Sequence, residues 1–509
     1  MMMMMEEYDI VVMTCVVGMV VLLLIGTKYK IMNDKGEKNG IGYAKGGIPM
    51  LGHALEYKKD PVHFLMKQVR SGVGAVRINL AGRQMILITG NDWNLYQTIC
   101  QQQEHVVSSI QAIASVGFIQ TLGYQNVFHG TNFQKSCIKQ HFPNYHSYIK
   151  LHSTPYVSKL IPQLHQTFQH ALLQQQQQGD GKATIIHVDD LFQFVRNWHI
   201  RFILLHFLGS SFYQNNHQMN DIIDEFQILQ DSIEEATAAA TVLPNWISQP
   251  FILRPVERKR MRFQEKLQSI LKHKVLSQEQ DHDGPWLQSF LHDNVSIEMA
   301  SEYIVGLLFA GAKNPAIAST QSYLLFHEHA TPKELQQAKN ESQQILSCQM
   351  KPNPSMIITK CVLETLRYIA HPIGAIRIVQ KQITLGNDKT KIILEPGECV
   401  ALSHVTVNHN HKLWNNDPPS NINFHRKEWA ENDTINSTLN DVNDKFTTFS
   451  HGIHKCPGSN IALIMSQCSF AILLSHNITL SSSLPKVSFD RATLAQRSGP
   501  IPVQINTTI

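Results

Sequence analysis

The chain is short of charge: only 17% of its 509 residues are charged, and 44 lysines and arginines against 40 acids leave a net +4. No lysine or arginine block is long enough to track a phosphate backbone, so nucleic acid is excluded as a partner class. Paired cysteines are also lacking. The eight thiols (Cys15, Cys100, Cys137, Cys348, Cys361, Cys399, Cys456, Cys468) include neither a CxxC pair nor the short spacings of a zinc site. That scatter fits a reducing compartment and buried thiols. There is no internal repeat, and the one low-complexity tract, Gln174 to Gln178, precedes GDGK and reads as an exposed loop insertion. Apolar residues are not scarce: at 43% they can build a large core, and length alone suggests two to four domains.

The longest apolar run, IVVMTCVVGMVVLLLIG at residues 10–26, would form a helix of ~25 Å, enough for the hydrocarbon layer of a bilayer. Glu6, Glu7 and Asp9 precede it and Lys28, Lys30 and Lys35 follow, which orients the bulk of the chain to the cytoplasmic side. A basic leader and a small-residue cleavage site are both missing, against a cleaved signal peptide. Residues 1–27 are therefore expected to be a single-pass membrane anchor. The glycine- and lysine-rich stretch behind it, NDKGEKNGIGYAKGGIP, reads as a solvated tether over residues 28–45, with a globular part over 46–509.

Within that part a helix is expected from Pro61 to Arg70, then a hairpin in which VGAVRINL and RQMILITG alternate around Ala81-Gly82. From about Phe133 to Leu346 apolar residues recur at three and four, and strands return in KIILEPGECVALS. The expected class is mainly α, of the α+β type, with small sheets at the beginning and toward the C-terminus.

One stretch carries unusual chemistry. FSHGIHKCPGSN, residues 449–460, sets Cys456 among glycines and basic side chains, just ahead of a periodic apolar segment. Its sulfur would lie near a helix N-terminus, where partial positive charge favours a thiolate. A nucleophilic role would need His451 or His454 as base, which sequence proximity alone does not establish, and zinc would need further ligands. A haem iron needs only one, because the porphyrin supplies four nitrogens. Gly452 and Gly458 would let the backbone approach a flat macrocycle, and His454 could meet a propionate.

Phe449, Gly452, His454, Cys456 and Gly458 reproduce FxxGx(R/H)xCxG, and the chain resembles the cytochrome P450 family of haem-thiolate monooxygenases. ETLR, with Glu364 and Arg367, matches the family's ExxR, and HPIGAIR ends in Arg377 where relatives often hold a haem propionate. The resemblance extends over residues 46 to about 505 and implies one triangular, mostly helical domain in place of several. It implies haem b on the thiolate of Cys456, and a buried Glu364–Arg367 ion pair behind it. In NFHRKEW the usual proline and arginine positions hold Arg426 and Glu428, leaving Arg426 to complete that pair. Phe133 stands where many relatives have tryptophan, which leaves Lys135 or Lys139 as propionate partners, and Ser450 replaces a common glycine.

SEYIVGLLFAGAKNPAIAST, residues 301–320, resembles the family's helix passing over the haem. Ala310 and Gly311 match, but Lys313 and Asn314 replace the acid and alcohol that ordinarily deliver protons, and Pro315 should kink the helix and free a carbonyl. A similar asparagine and proline occur in the branch of bile-acid sterol hydroxylases and prostacyclin synthase, and GYQNVFH at 123–129 resembles that branch and sterol 14-demethylases. The favoured reading is a monooxygenase of the endoplasmic reticulum membrane, facing the cytoplasm, that oxidises a sterol- or fatty-acid-like substrate. It would take electrons from an NADPH-dependent reductase docked around Lys455. A reductase-independent isomerase or dehydratase of lipid peroxides, and a non-catalytic haem-binding membrane protein, remain as alternatives. Ile113, Phe118, Ile119, Leu122 and Val127 are expected pocket lining.

Overall fold

The computed structural model describes residues 38–506 except 49–50, 148–150, 152–154, 179–184, 213–215, 244, 277–283, 354, 387–390, 415–421, 430–444 and 492. The expected anchor at 1–27 lies outside the described residues. No helix among the described residues is long and apolar enough to cross a membrane.

Local chemistry accounts for the N-terminal elements. Helix α1 (Pro61–Arg70) begins on a proline whose fixed φ suits the first helical position, and the Asp60 side chain accepts a bond from the His63 amide at 2.8 Å. Strands β1 (Ala75–Leu80) and β2 (Arg83–Ile88) pair antiparallel with Leu80 opposite Arg83. The two turn residues, Ala81 and Gly82, both have positive φ (50° and 93°), the turn geometry whose twist matches the flanking strands. Helix α2 (Trp93–Gln101) and the short strand β3 (Val107–Ser108) follow.

A helical body comes next: α3 (Thr131–His141), α4 (Pro155–Gln178), the strand β4 (Ile185–Val188), α5 (Leu191–Leu208), α6 (Asn216–Val242), α7 (Arg254–Leu276) and α8 (Pro285–His292). The central apolar run forms two helices, α9 (Ile297–Gly311) and α10 (Lys313–His329), followed by α11 (Pro332–Leu346) and α12 (Ile357–Tyr368). The remaining strands are β5 (Ala375–Val379), β6 (Ile383–Leu385), β7 (Ile392–Leu394) and β8 (Cys399–Leu402). After helix α13 (Ser459–Ser475) come β9 (Asn477–Leu480), β10 (Val487–Ser488), β11 (Gln496–Arg497) and β12 (Val503–Asn506).

The main sheet has the order β1-β2-β8-β5-β3, so strands from both ends of the described chain interleave. Its alternating residues bury on both faces: Ile86, Ile88, Val400 and Leu402 on one, Met85, Leu87, Cys399 and Ala401 on the other. β4, β12 and β9 make a second sheet, and β6-β7 and β10-β11 are isolated pairs. Helices α5, α10 and α13 are buried nearly all round, as helices without a polar face must be. This is the mainly helical architecture with small sheets that the sequence implies.

The expected tether departs from the structure at its end. Residues 38–48 lie along the main sheet: Ile41 is fully buried, and Ala44 and Gly42 exchange backbone bonds with Arg77 at 2.9 and 2.8 Å. Glycine and lysine content hides this, because the segment is held by its backbone and one apolar side chain.

Candidate active site

The segment from Thr447 to Gly458 is fixed from behind before it presents anything. Asn408 accepts from the Thr447 amide (3.1 Å) and hydroxyl (3.0 Å) and donates to Thr448 Oγ1 (3.0 Å); Thr448 in turn donates to the Leu366 carbonyl of α12 at 2.9 Å. The Cys456 amide donates to the Phe449 carbonyl at 2.9 Å and closes the loop. Two residues inside it have left-handed backbone, Ser450 (φ 60°) and Gly452 (φ 66°), which explains why glycine is common at the first position. At Gly452 a Cβ would fall 2.0 Å from the Cys100 carbonyl oxygen, so the glycine is needed for the approach of α2. At Gly458 a Cβ would meet nothing within 4 Å.

Cys456 lines two adjoining cavities of about 250 and 120 Å³ that share Ala310, Pro315 and Ala462 as walls. Its accessible surface borders these cavities. Burial pushes its thiol up, against a backbone bond near Gly458 and the charge of Lys455. Burial thus opposes the partial positive charge at the start of α13, and a thiolate here wants a cation, as the sequence reading holds.

Helices α9 and α10 form the facing wall. Ala310 and Gly311 both line the cavities, as does Asn314, whose Oδ1 is buried without a hydrogen-bond partner among the described residues. The helix is interrupted at Ala312 (φ −93°, ψ −58°), and Pro315 has no amide to give the Gly311 carbonyl. Lys313 turns the other way. Its ammonium is 2% exposed, pairs with Asp231 Oδ1 at 3.0 Å and with Glu234 on α6, and joins a network with Arg196 and Gln230. It does not line either cavity, so only Asn314 of the two substituted relay positions faces the site.

Behind the loop, Glu364 is fully buried. It accepts from Arg367 Nε (2.9 Å) and Nη2 (2.7 Å), from Arg426 Nε (3.0 and 2.9 Å), from Trp429 Nε1 (3.2 Å) and from the Asn423 amide (3.0 Å). Burial alone would raise its carboxyl, but the two guanidiniums hold it below its ordinary value. The structure thus brings Glu364, Arg367 and Arg426 together.

At the other edge His454 Nε2 is 2.7 Å from Glu104 Oε2, a contact that is an ion pair only when the imidazole is protonated. Burial, with Arg377 and Lys135 beside it, holds this imidazole below its usual value against the pull of Glu104. Lys135 straps the loop by donating to the Ile453 carbonyl at 3.2 Å, while Lys139 is exposed. Arg377 is buried on β5 and donates to the Ile376 carbonyl at 2.8 Å. Phe133 stacks on Tyr303 at 4.4 Å and packs edge-on at 5.3 Å against Trp286, a wall of the smaller cavity that Phe133 itself does not line.

A model of the cytochrome P450 family matches residues 44–498. The chain belongs to the cytochrome P450 family. It is therefore an oxidoreductase of the monooxygenase group, and P450 proteins bind haem through a cysteine thiolate, act on small molecules and generally take electrons from reductase partners. No curated protein matches the chain.

The residues around the P450 cavity fit a flat apolar group with an anionic edge. Ala310, Pro315, Leu366 and Ala462 give apolar walls, and the basic side chains of His454, Arg377 and Lys135 gather at one side. Buried polar atoms without partners among the described residues also face it: both ring nitrogens of His404, His371 Nδ1 and Ser450 Oγ. Burial holds His371 down at about 4 and His404 well below its ordinary value, so both rings are neutral hydrogen-bonding groups. Sequence reasoning missed His404, Asn408 and Glu104: none was singled out there, the cavity that His404 lines and the loop that Asn408 holds are built by residues far along the chain, and so is the His454 contact of Glu104. None of Ile113, Phe118, Ile119, Leu122 and Val127 lines either cavity.

Proposed function

We propose that Cys456 holds haem b in this P450 and that the protein oxygenates a lipophilic substrate, sterol-like or fatty-acid-like, with electrons from an NADPH-dependent reductase. The observation that carries this reading is that the Cys456 sulfur opens onto the same cavity as Ala310, Gly311 and Asn314. When bound, the haem supplies dioxygen activation, with thiolate electron density favouring O–O cleavage. His454, Arg377, Lys135 and His404 are the groups that would hold its propionates by charge-assisted and neutral hydrogen bonds. Phe449 and Ala462 keep the thiolate side dry, which preserves the sulfur's basicity toward a cation.

Ala310 and Gly311 leave room above the cavity floor for a small ligand. Asn314 has no proton to release near neutral pH, so its role is to hold a water at Oδ1, with the carbonyl of Gly311 as a second acceptor. Water held in this way substitutes for the acid and alcohol at the positions of Lys313 and Asn314. The reductase would dock at the basic face around Lys455. Residues 10–26 would anchor the protein in the endoplasmic reticulum membrane with the catalytic part toward the cytoplasm, where a lipophilic substrate partitions. The Asn314–Pro315 pair and GYQNVFH favour placement near the sterol hydroxylase, prostacyclin synthase and sterol 14-demethylase branch.

A second reading, a haem-thiolate isomerase or dehydratase of lipid peroxides, is favoured by one observation: Asn314 is the single polar side chain that α9 and α10 bring to the two cavities. Turnover of the purified full-length chain over a panel of sterols and fatty acids separates the two. The first reading predicts product and NADPH consumption only with reductase present. Rapid reductase-free conversion of a fatty-acid hydroperoxide, without NADPH-dependent product, would replace it with the second.

A further inference from the structure

The segment Phe118–Gly130 leads into α3, whose Gln134 and Ile138 line the smaller cavity, and Phe118 packs edge-on against Phe309 at 6.0 Å, one residue from Ala310. It is a helical turn (Phe118–Leu122), a break at Gly123 and a π-helical turn (Asn126–Gly130), and it has little regular bonding of its own across the break. Its closure centres on one side chain. Glu302 on α9 accepts from the backbone amides of Gln125 (2.5 Å) and Asn126 (3.3 Å), the donors that the break leaves without helical partners. Asn126 returns the contact, donating to the Glu302 carbonyl at 2.5 Å and to the Leu122 carbonyl at 2.9 Å.

The fit is close on both sides. A Cβ at Gly123 (φ 100°) would fall 2.2 Å from the Glu302 carboxylate, and one at Gly306, a turn further along α9, 2.1 Å from Asn126 Oδ1. Arg260 of α7, whose guanidinium also feels the Glu302 charge, donates to the Gln120 carbonyl at 3.0 Å, so a second helix ties the segment down. A charged acceptor on two amides outweighs a neutral one, because bonds to ionised groups are roughly twice as strong.

We propose that Glu302 is a positioning residue that clamps segment 118–130 against α9 and thereby sets the rate at which ligands reach the Ala310 side of the cavity. Access to the cavity rests on the haem-site reading above; the clamp itself does not. Two variants test it, Glu302→Gln, which keeps the shape and removes the charge, and Asn126→Ala, which removes the return bonds and leaves Glu302 in place. Hydrogen exchange of peptides spanning 118–130 in the full-length protein reads the clamp. The association rate of 4-phenylimidazole, followed in the Soret band, reads access.

Both variants are expected to exchange about tenfold faster in this segment and to bind the probe about tenfold faster, with the carbon monoxide spectrum unchanged. Unchanged exchange in both would overturn the clamp. Faster exchange with an unchanged association rate would overturn its role in access. The exchange measurement involves no haem, so its failure is distinguishable from failure of the Cys456 assignment.

Discussion

Glu364 shows how much of this protein rests on single atoms. A carboxylate with no exposure is tolerated because four side-chain and backbone groups donate to it, two of them guanidiniums. Arg426 occupies the position where relatives carry proline, two residues before their usual arginine, yet its Nε reaches both carboxylate oxygens. Replacing it with alanine leaves a buried charge half-paired, and a loss of about 3 to 5 kcal/mol is expected, read as a lower urea midpoint. The pH dependence follows in sign. The folded carboxyl titrates below its ordinary value of 4.5, so its stabilisation is complete above that value and is lost as pH falls through the lower folded one. In the Arg426→Ala protein the onset of acid unfolding should move to higher pH.

At the scale of elements, the break between α9 and α10 is the feature with most consequence. Pro315 removes the amide that would have tied down the Gly311 carbonyl, and that carbonyl lies beside the cavity next to Asn314. Pro315→Ala lets the two helices join. Stability should rise by about 1 to 3 kcal/mol, and on the proposed monooxygenase reading product formed per NADPH should fall severalfold, because the Gly311 carbonyl would no longer be free as the second acceptor for a held water. Unchanged coupling would show that the freed carbonyl does no work.

Much of this architecture was legible in sequence where the signal is local. The 75–88 hairpin follows from strict alternation about Ala81-Gly82, α1 from Asp60 and Pro61, and the proximal loop from the spacing of Phe449, Gly452, His454 and Cys456. What was hidden depends on distant partners. Lys313 looks like a relay residue until Asp231 and Glu234, some eighty positions away, draw it to α6. The need for Gly452 comes from the Cys100 carbonyl, and the need for Asn408 from a loop that begins 39 residues later. The burial of Ile41 in a stretch rich in glycine and lysine was equally invisible, since sheet pairing of that segment involves Arg77.

Across the whole molecule, the sheet order β1-β2-β8-β5-β3 and the bonds from Asn408 to the proximal loop join the first, middle and last parts of the described chain around one cavity. Helices buried nearly all round, α5, α10 and α13, contribute walls to it. The fold thereby places a single thiol where burial disfavours its anion unless a metal cation is at hand. The most direct test of this account is the reduced carbon monoxide spectrum of the purified protein beside that of Cys456→Ala. A red-shifted Soret band of the haem-thiolate kind in the natural chain, absent from the variant, is predicted. The same band persisting without Cys456, or no haem taken up by the natural chain, would contradict it.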